Sequence, residues 1–351
     1  MNTFIYLVKF IASLFVISLH AEFPGTFGLC FNAAARFAVP FFFAVSGRYL
    51  IPSNVRSASD IRKRVSGSLK KIIKVTLIVY FVYLLYSVFY HLVIANVKPE
   101  EWLTSKFNLN EAKVFFLFNT GKCIFDGSVI YDHLWYLFAI IYVYVIIIIF
   151  AKVLRKWYKG LVIGLLGLLF FGELLQTYYP VKVFDISIKT WYVFRNWLFM
   201  GIPFVLMGIW FSDYIADLKD KLSREEYRIK TGKWVLPSVI AIICGTICSI
   251  VEFLIFDEKE CPLGALFVVL GLLFLSETGI SGGKYLWKIG KEASPNIYFY
   301  HVLLMSVVDQ ILFHLGSDGI PVVIRPVVIM VLSVITMYFI PNTIKKRLRH
   351  E

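Results

Sequence analysis

FIYLVKFIASLFVISLHAEF (Phe4–Phe23) and, a short gap later, RFAVPFFFAVSGRYL (Arg36–Leu50) decide what kind of protein this is. Both are apolar runs of near-hydrocarbon length and read as membrane helices. They nevertheless carry Lys9, Ser13, His20, Arg36 and Ser46. A cation inside such a helix costs about 3 kcal/mol on insertion scales, so its default reading is functional and cavity-facing. Lys9 and His20 are eleven residues apart, three helical turns plus about 20°, so they share one face about 16 Å apart along the axis. Ser13 lies on that side too. The blander alternative has Lys9 snorkelling to the inner headgroups and His20 wet at the outer end.

Composition places the whole chain in the same class. It has 351 residues, 59% of them hydrophobic and 17% aromatic, too little polar surface for a soluble core of this size. Apolar runs near 20 residues recur, which predicts an all-α polytopic membrane protein. The net charge of +13 is therefore a matter of loop placement and is no nucleic-acid footprint. Cys30, Cys123, Cys244, Cys248 and Cys261 form no CxxC pair and no metal-ligand cluster. Residues 1–22 resemble a signal peptide only superficially, because Lys9 interrupts the apolar region and no small-x-small cleavage signal follows.

About ten spans are expected, near 4–23, 36–51, 75–95, 133–151, 160–178, 194–212, 234–252, 263–280, 294–315 and 322–341. With the N-terminus inside, the inner segments hold 25 of the 36 Lys and Arg, the outer segments hold 10, and Lys9 is the remainder. That asymmetry orients both termini to the cytoplasm. Residues 110–119 are too short to cross and predict an interfacial or re-entrant helix capped by Asn110. Residues 213–233 predict an amphipathic connection. One transmembrane domain, 1–344, is expected, with a basic cytoplasmic tail at 345–351 that contacts lipid headgroups.

Several groups suit chemistry. Asp132-His133-Leu-Trp-Tyr136 opens the fourth span, with Asp132 placed as an N-cap. Its Trp and Tyr are equally suited to an interfacial belt. Ser294-Pro295 predicts the start of the ninth span, with Tyr298 and then His301 about 10 Å deeper. His301 suits a ligand entering from inside, or a bond to a neighbouring helix. Arg36, Glu173 and Arg195 are charges in or near apolar spans, suited to acceptor contact or interhelical pairing. Lys70, Lys71 and Lys74 lead into the third span. They suit lipid phosphates or the pyrophosphate of a cytosolic nucleotide donor. Asp309 and His314 suggest no role. The chain has no glycine-rich phosphate loop, GxSxG elbow or zinc spacing.

Four stretches together resemble the integral-membrane acyltransferase 3 family, whose members acylate envelope carbohydrates. They are the basic-x10-His pattern Lys9…His20, then RFAVPFFFAVSG (Arg36–Gly47), HLWYL (His133–Leu137) and IGKEASPNIYFYH (Ile289–His301). The chain departs from the family pattern at Lys9, usually Arg, and at Lys71-x-x-Lys74, usually Arg-x-x-Arg. Lysine keeps the charge and loses the bidentate fork. Arg48 stands where an aromatic is usual. The soluble hydrolase-like domain that some members carry is not expected here.

The resemblance implies an acyl-CoA donor, with acetyl-CoA first among candidates, and a carbohydrate or lipid-linked glycan acceptor outside the inner (cytoplasmic) membrane. In that scheme Lys9, Lys70, Lys71, Lys74, Ser46, Tyr298 and His301 hold the donor, and Arg36, Glu173 and Arg195 the acceptor. His20 takes the acceptor proton, while His133 with Asp132 positions the acceptor or His20. Neither a metal nor a permanently bound cofactor is implied, and neither is a nucleic acid. A transporter of a small polar solute such as an amino acid is the alternative, because intramembrane charge suits transport as well. A catalytically silent scaffold is a third.

Overall fold

In hydrocarbon, backbone N–H and C=O groups must be satisfied within the segment, so apolar runs of this kind fold as helices. The computed structural model describes residues 2–119, 122–123, 132–178, 182–183, 186–187, 193–256 and 259–347. Those residues are overwhelmingly helical, apart from an antiparallel two-residue ladder pairing Lys182–Val183 with Ile186–Ser187. Among the described residues, eight helices are long and apolar enough to cross a membrane, and two shorter apolar helices, Trp135–Ile149 and Leu263–Leu275, occupy the other two expected positions. The protein is a multi-pass helical membrane protein.

The chain divides into two compact units. The first comprises Met1–Val39, Lys230–Asp257 and Gly264–Glu351; the second comprises Pro40–Ile229 and Glu258–Leu263. Unit 1 opens with α1 (Thr3–His20), whose N-cap Asn2 accepts a hydrogen bond from the Ile5 N–H. Next comes α2 (Gly25–Ala35). The stretch expected as an outer loop is thus largely helical. Arg36 sits at the break between α2 and α3 (Ala38–Leu50), not at the outer start of a helix. The sequence GTFGLCFNAAA supports this, because after Pro24 nothing in it breaks a helix. The chain passes into unit 2 within α3.

Unit 2 continues with α4 (Ala58–Phe89), which runs unbroken through the basic segment and ends in a π-helical turn at Tyr90–Ile94. Two short helices follow, α5 (Pro99–Lys106) and α6 (Leu109–Phe118). The cap of α6 is Asn108, whose Oδ1 accepts from the Glu111 N–H at 3.0 Å, so the expected Asn110 lies inside the helix. Asn108 and Glu111 stand at capping-box spacing, a stronger start signal than Asn110 offers.

A 3₁₀ turn at Asp132–Leu134 leads into α7 (Trp135–Ile149), followed by α8 (Leu154–Tyr178) and α9 (Ile202–Lys221). Asp132 therefore begins the 3₁₀ turn and does not cap α7, and its side chain lies outside the described residues. Helices α3 and α9 cross at glycines: a Cβ on Gly47 would collide with the Val205 carbonyl, and one on Gly208 with that of Ala44. That close crossing fixes Ser46 beside α7. Arg48 is buried against the rings of Tyr49 and Phe211, at 5.4 and 5.2 Å, so its guanidinium fills an aromatic niche.

The connection expected at 213–233 is helical, the end of α9 plus α10 (Arg224–Gly232). The rest of unit 1 is built from α11 (Val235–Phe256), α12 (Leu263–Leu275, all but its first residue), α13 (Leu286–Glu292), α14 (Ser294–His314), α15 (Arg325–Val334) and α16 (Ile340–Arg347). Its core includes Phe10, Ile17, Ala293, Ile297, Met305 and Ile329, which packs α14 and α15 onto α1.

Candidate functional site

The seam between α1 and α14 is made by small residues. At Gly282 the backbone N–H donates to Thr3 Oγ1 at 3.1 Å, and a Cβ there would meet the Thr3 carbonyl. A Cβ on Gly290 would overlap the Tyr6 carbonyl, so α13 already lies against α1 before α14 begins. Ser294 then donates to the Lys9 carbonyl at 2.6 Å and contacts Ser13 Oγ at 3.2 Å. Ser13 itself donates to the Phe10 carbonyl at 2.7 Å. Ser294 is thus the first residue of α14, at the expected start of that helix, and it ties two helices together.

Seven residues further along both helices, the rings of His20 and His301 lie 5.2 Å apart, tilted by 49°. The two helices run parallel. Equal seven-residue steps keep both contacts on one seam, as in a coiled coil. This sets His301 at the same level of the seam as His20. His301 is fully buried, and its Nδ1 lies 2.8 and 3.0 Å from the carbonyls of Tyr298 and Ile297. Carbonyls only accept, so Nδ1 carries the hydrogen and Nε2 is the basic nitrogen. Tyr298 is buried with its ring 6.4 Å from that of His301. Lys9 stands lower on the seam, with Nζ 5.6 Å from the Tyr6 ring centroid.

Beyond His20, unit 1 carries a polar chain that sequence reasoning missed in part. Asn32 donates to Glu22 at 2.9 Å, and Arg36 Nε donates to Asn32 Oδ1 at 3.0 Å. The Arg36 guanidinium also lies 5.7 Å from the Phe253 ring. Glu22 follows His20 by two residues, so the chain anchors the end of α1 to α2. A carboxylate and an amide ten residues apart were the available signal.

Unit 2 holds a second group. His133 is 2% exposed, with Nε2 3.4 Å from the hydroxyl of Tyr83, a fully buried α4 residue that no sequence pattern marks. Ser46 Oγ lies 3.2 Å from the Tyr136 hydroxyl, whose ring packs 4.6 Å from Phe43. The HLWYL stretch thus supplies two polar groups, through its first and fourth residues. Glu173 is buried and accepts from the Cys261 N–H at 3.3 Å. Arg195 lies 3.9 Å from Glu260 and 5.6 Å from the Trp135 ring. Lys70, Lys71 and Lys74 are exposed on α4.

An imidazole pair, one ring buried and the other half-buried, on a hydroxyl-lined helical seam with a cation on the same helix suits proton transfer at an acyl centre. The family model described as an acyltransferase domain, acyltransferase 3, matches residues 2–340. The chain belongs to that family. No curated protein and no solved structure matches it. As an acyltransferase 3 member it is a membrane-embedded acyltransferase, with an acyl donor and an acceptor as substrates. The match spans both units, so the seam and the His133 group fall within the same family domain.

Proposed function

We propose that the protein moves a short acyl group, acetyl first, from cytosolic acyl-CoA to a hydroxyl of an extracytoplasmic envelope glycan or its lipid-linked precursor. The observation that carries this reading is the seam itself: on α1 a cation stands about 16 Å below a paired imidazole. The charge asymmetry of the loops turns the Lys9 end toward the cytosol, where acyl-CoA is made, and the His20 end outward.

A sugar hydroxyl is a weak nucleophile at neutral pH, so the proton must leave as the oxygen attacks. His20 accepts that proton. The new C–O bond forms at the thioester carbonyl, the C–S bond breaks, and the departing thiolate takes a proton back from the imidazolium. His301, with its own Nδ1 hydrogen committed to carbonyls, offers a second basic nitrogen beside His20. Capture of the acyl group by His20 before transfer gives the same overall balance in two steps. In this proposal Lys9 meets the polar arm of the donor, and Lys70, Lys71 and Lys74 attract its phosphates. Tyr298 and Ser46 border the donor path. Arg36, Glu173 and Arg195 contact the acceptor, which His133 and Asp132 position.

The test is labelled acetyl-CoA with the purified protein in membranes and a glycan acceptor. Label appearing on the glycan, and lost in His20→Ala, is the expected outcome. Uptake of a polar solute with no acylation would replace the enzyme with a transporter.

A further inference from the structure

Within unit 2, the turn after α3, the start of α8 and the far half of α9 enclose a cleft of about 710 Å³. This lies within the roughly 300–1,000 Å³ range of pockets that bury a drug-sized ligand, and far exceeds the need of one phosphate ion. A clamp fixes its walls. Arg155 pairs with Asp213 and donates to the Val55 carbonyl at 3.1 Å, while Tyr158 donates to Asp213 at 2.9 Å. Asp213 Oδ1 and Arg155 Nε are nevertheless buried without a hydrogen-bond partner among the described residues. Both atoms are shielded from the cleft itself, so the clamp is a wall of the site and the ligand groups come from the rest of the lining.

The remaining lining sorts into three chemistries. Arg56 and Lys159 are cations with no carboxylate paired to them among the described residues, and Lys159 Nζ sits 5.6 Å from the Trp210 ring. Trp210 and Tyr214 supply flat aromatic faces, and Asp217 and Asp220 supply acceptors. A bare phosphate uses only the first group. A phospholipid headgroup uses the cations and leaves the rings without a stacking partner. An adenine nucleotide uses all three: its phosphates meet the cations, the base stacks on an indole or phenol, and ribose hydroxyls or the exocyclic amine donate to carboxylates.

We propose that this cleft holds the adenosine diphosphate end of the acyl donor. This rests on the acyl-CoA reading above and assigns the donor's nucleotide to residues outside the lysine cluster of α4, which lines no part of the cleft. The loop-charge rule turns this end of α3, α8 and α9 toward the cytosol.

Full-length protein in nanodiscs, titrated separately with acetyl-CoA and with adenosine 3′,5′-diphosphate, tests the assignment. Lys159→Gln and Arg56→Gln should each weaken both ligands about tenfold, the scale of one lost charge-assisted bond. Trp210→Leu should weaken both, and Lys159→Arg should restore binding; this conservative pair serves if a neutral variant fails to fold. Unchanged affinity for both ligands in the cleft variants overturns the cleft and leaves the donor reading standing, as does wild-type protein that binds acetyl-CoA but not the diphosphate. No binding of acetyl-CoA by wild-type protein overturns both. Variants that alter only the retention of phosphatidylglycerol or phosphatidylethanolamine, with nucleotide affinity intact, make the cleft a headgroup site and overturn the proposal.

Discussion

The histidines of the two units are held in different ways. In the α1–α14 seam, backbone carbonyls do the holding: His301 is fixed by two of them, and Ser294 by the carbonyl of Lys9. In unit 2 a side-chain hydroxyl does it, since Tyr83 meets His133 at a long 3.4 Å. A carbonyl within a helix is rigid and can only accept, so it fixes the tautomer of the ring. A phenol either donates or accepts, and it turns about its C–O bond, so it leaves the tautomer open. The first arrangement suits a group that must present one basic nitrogen. The second suits a group that adapts to a bound acceptor.

The sharpest way to break this contrast is His20→Ala. Loss of a positioned base should lower acylation by about 10²–10⁴-fold with protein still present in the membrane. Near-normal turnover in a radiolabel assay would remove His20 from the chemistry. Next in size is Gly290→Leu, which forces a side chain into the Tyr6 carbonyl. Overpacking costs about 1–3 kcal/mol or more, so thermal stability in detergent should fall clearly. An unchanged melting temperature would mean that α13 does not lie against α1.

Lys9→Ala should raise the KM for the acyl donor, while Lys9→Arg keeps or lowers it, because Arg adds a bidentate fork to the same charge. Donor KM equal in all three proteins would leave Lys9 as a snorkelling cation. The smallest effect is expected at Tyr83→Phe. Losing one neutral hydrogen bond is worth about 0.5–1.5 kcal/mol, and it should show in the acceptor KM before kcat. A fall in kcat as large as that of His20→Ala would erase the distinction between the two units.

Much of the fold was legible because apolar run length is a property of the chain alone. Helices stand at all ten expected positions, and eight of them have spanning length. Local capping was less legible. Asn108 and Asn110 are both plausible starts by residue type, and only the hydrogen bond to the Glu111 N–H separates them. Within the candidate site, the equal seven-residue steps from Ser13 to His20 and from Ser294 to His301 stand in the sequence. Nothing in the sequence says that the two steps face each other.

The sequence by itself determined that this chain is helical and membrane-embedded and that its first helix carries a cation and an imidazole on one face. Those properties follow from hydrophobic length and the 3.6-residue repeat, which need no partner. Only the tertiary structure decided that His301 stands beside His20 and Tyr83 beside His133. Both pairings depend on how closely two helices approach; for the first, that distance is set by Gly282, Gly290 and Ser294, which lie nearly 300 positions away from α1 in the chain.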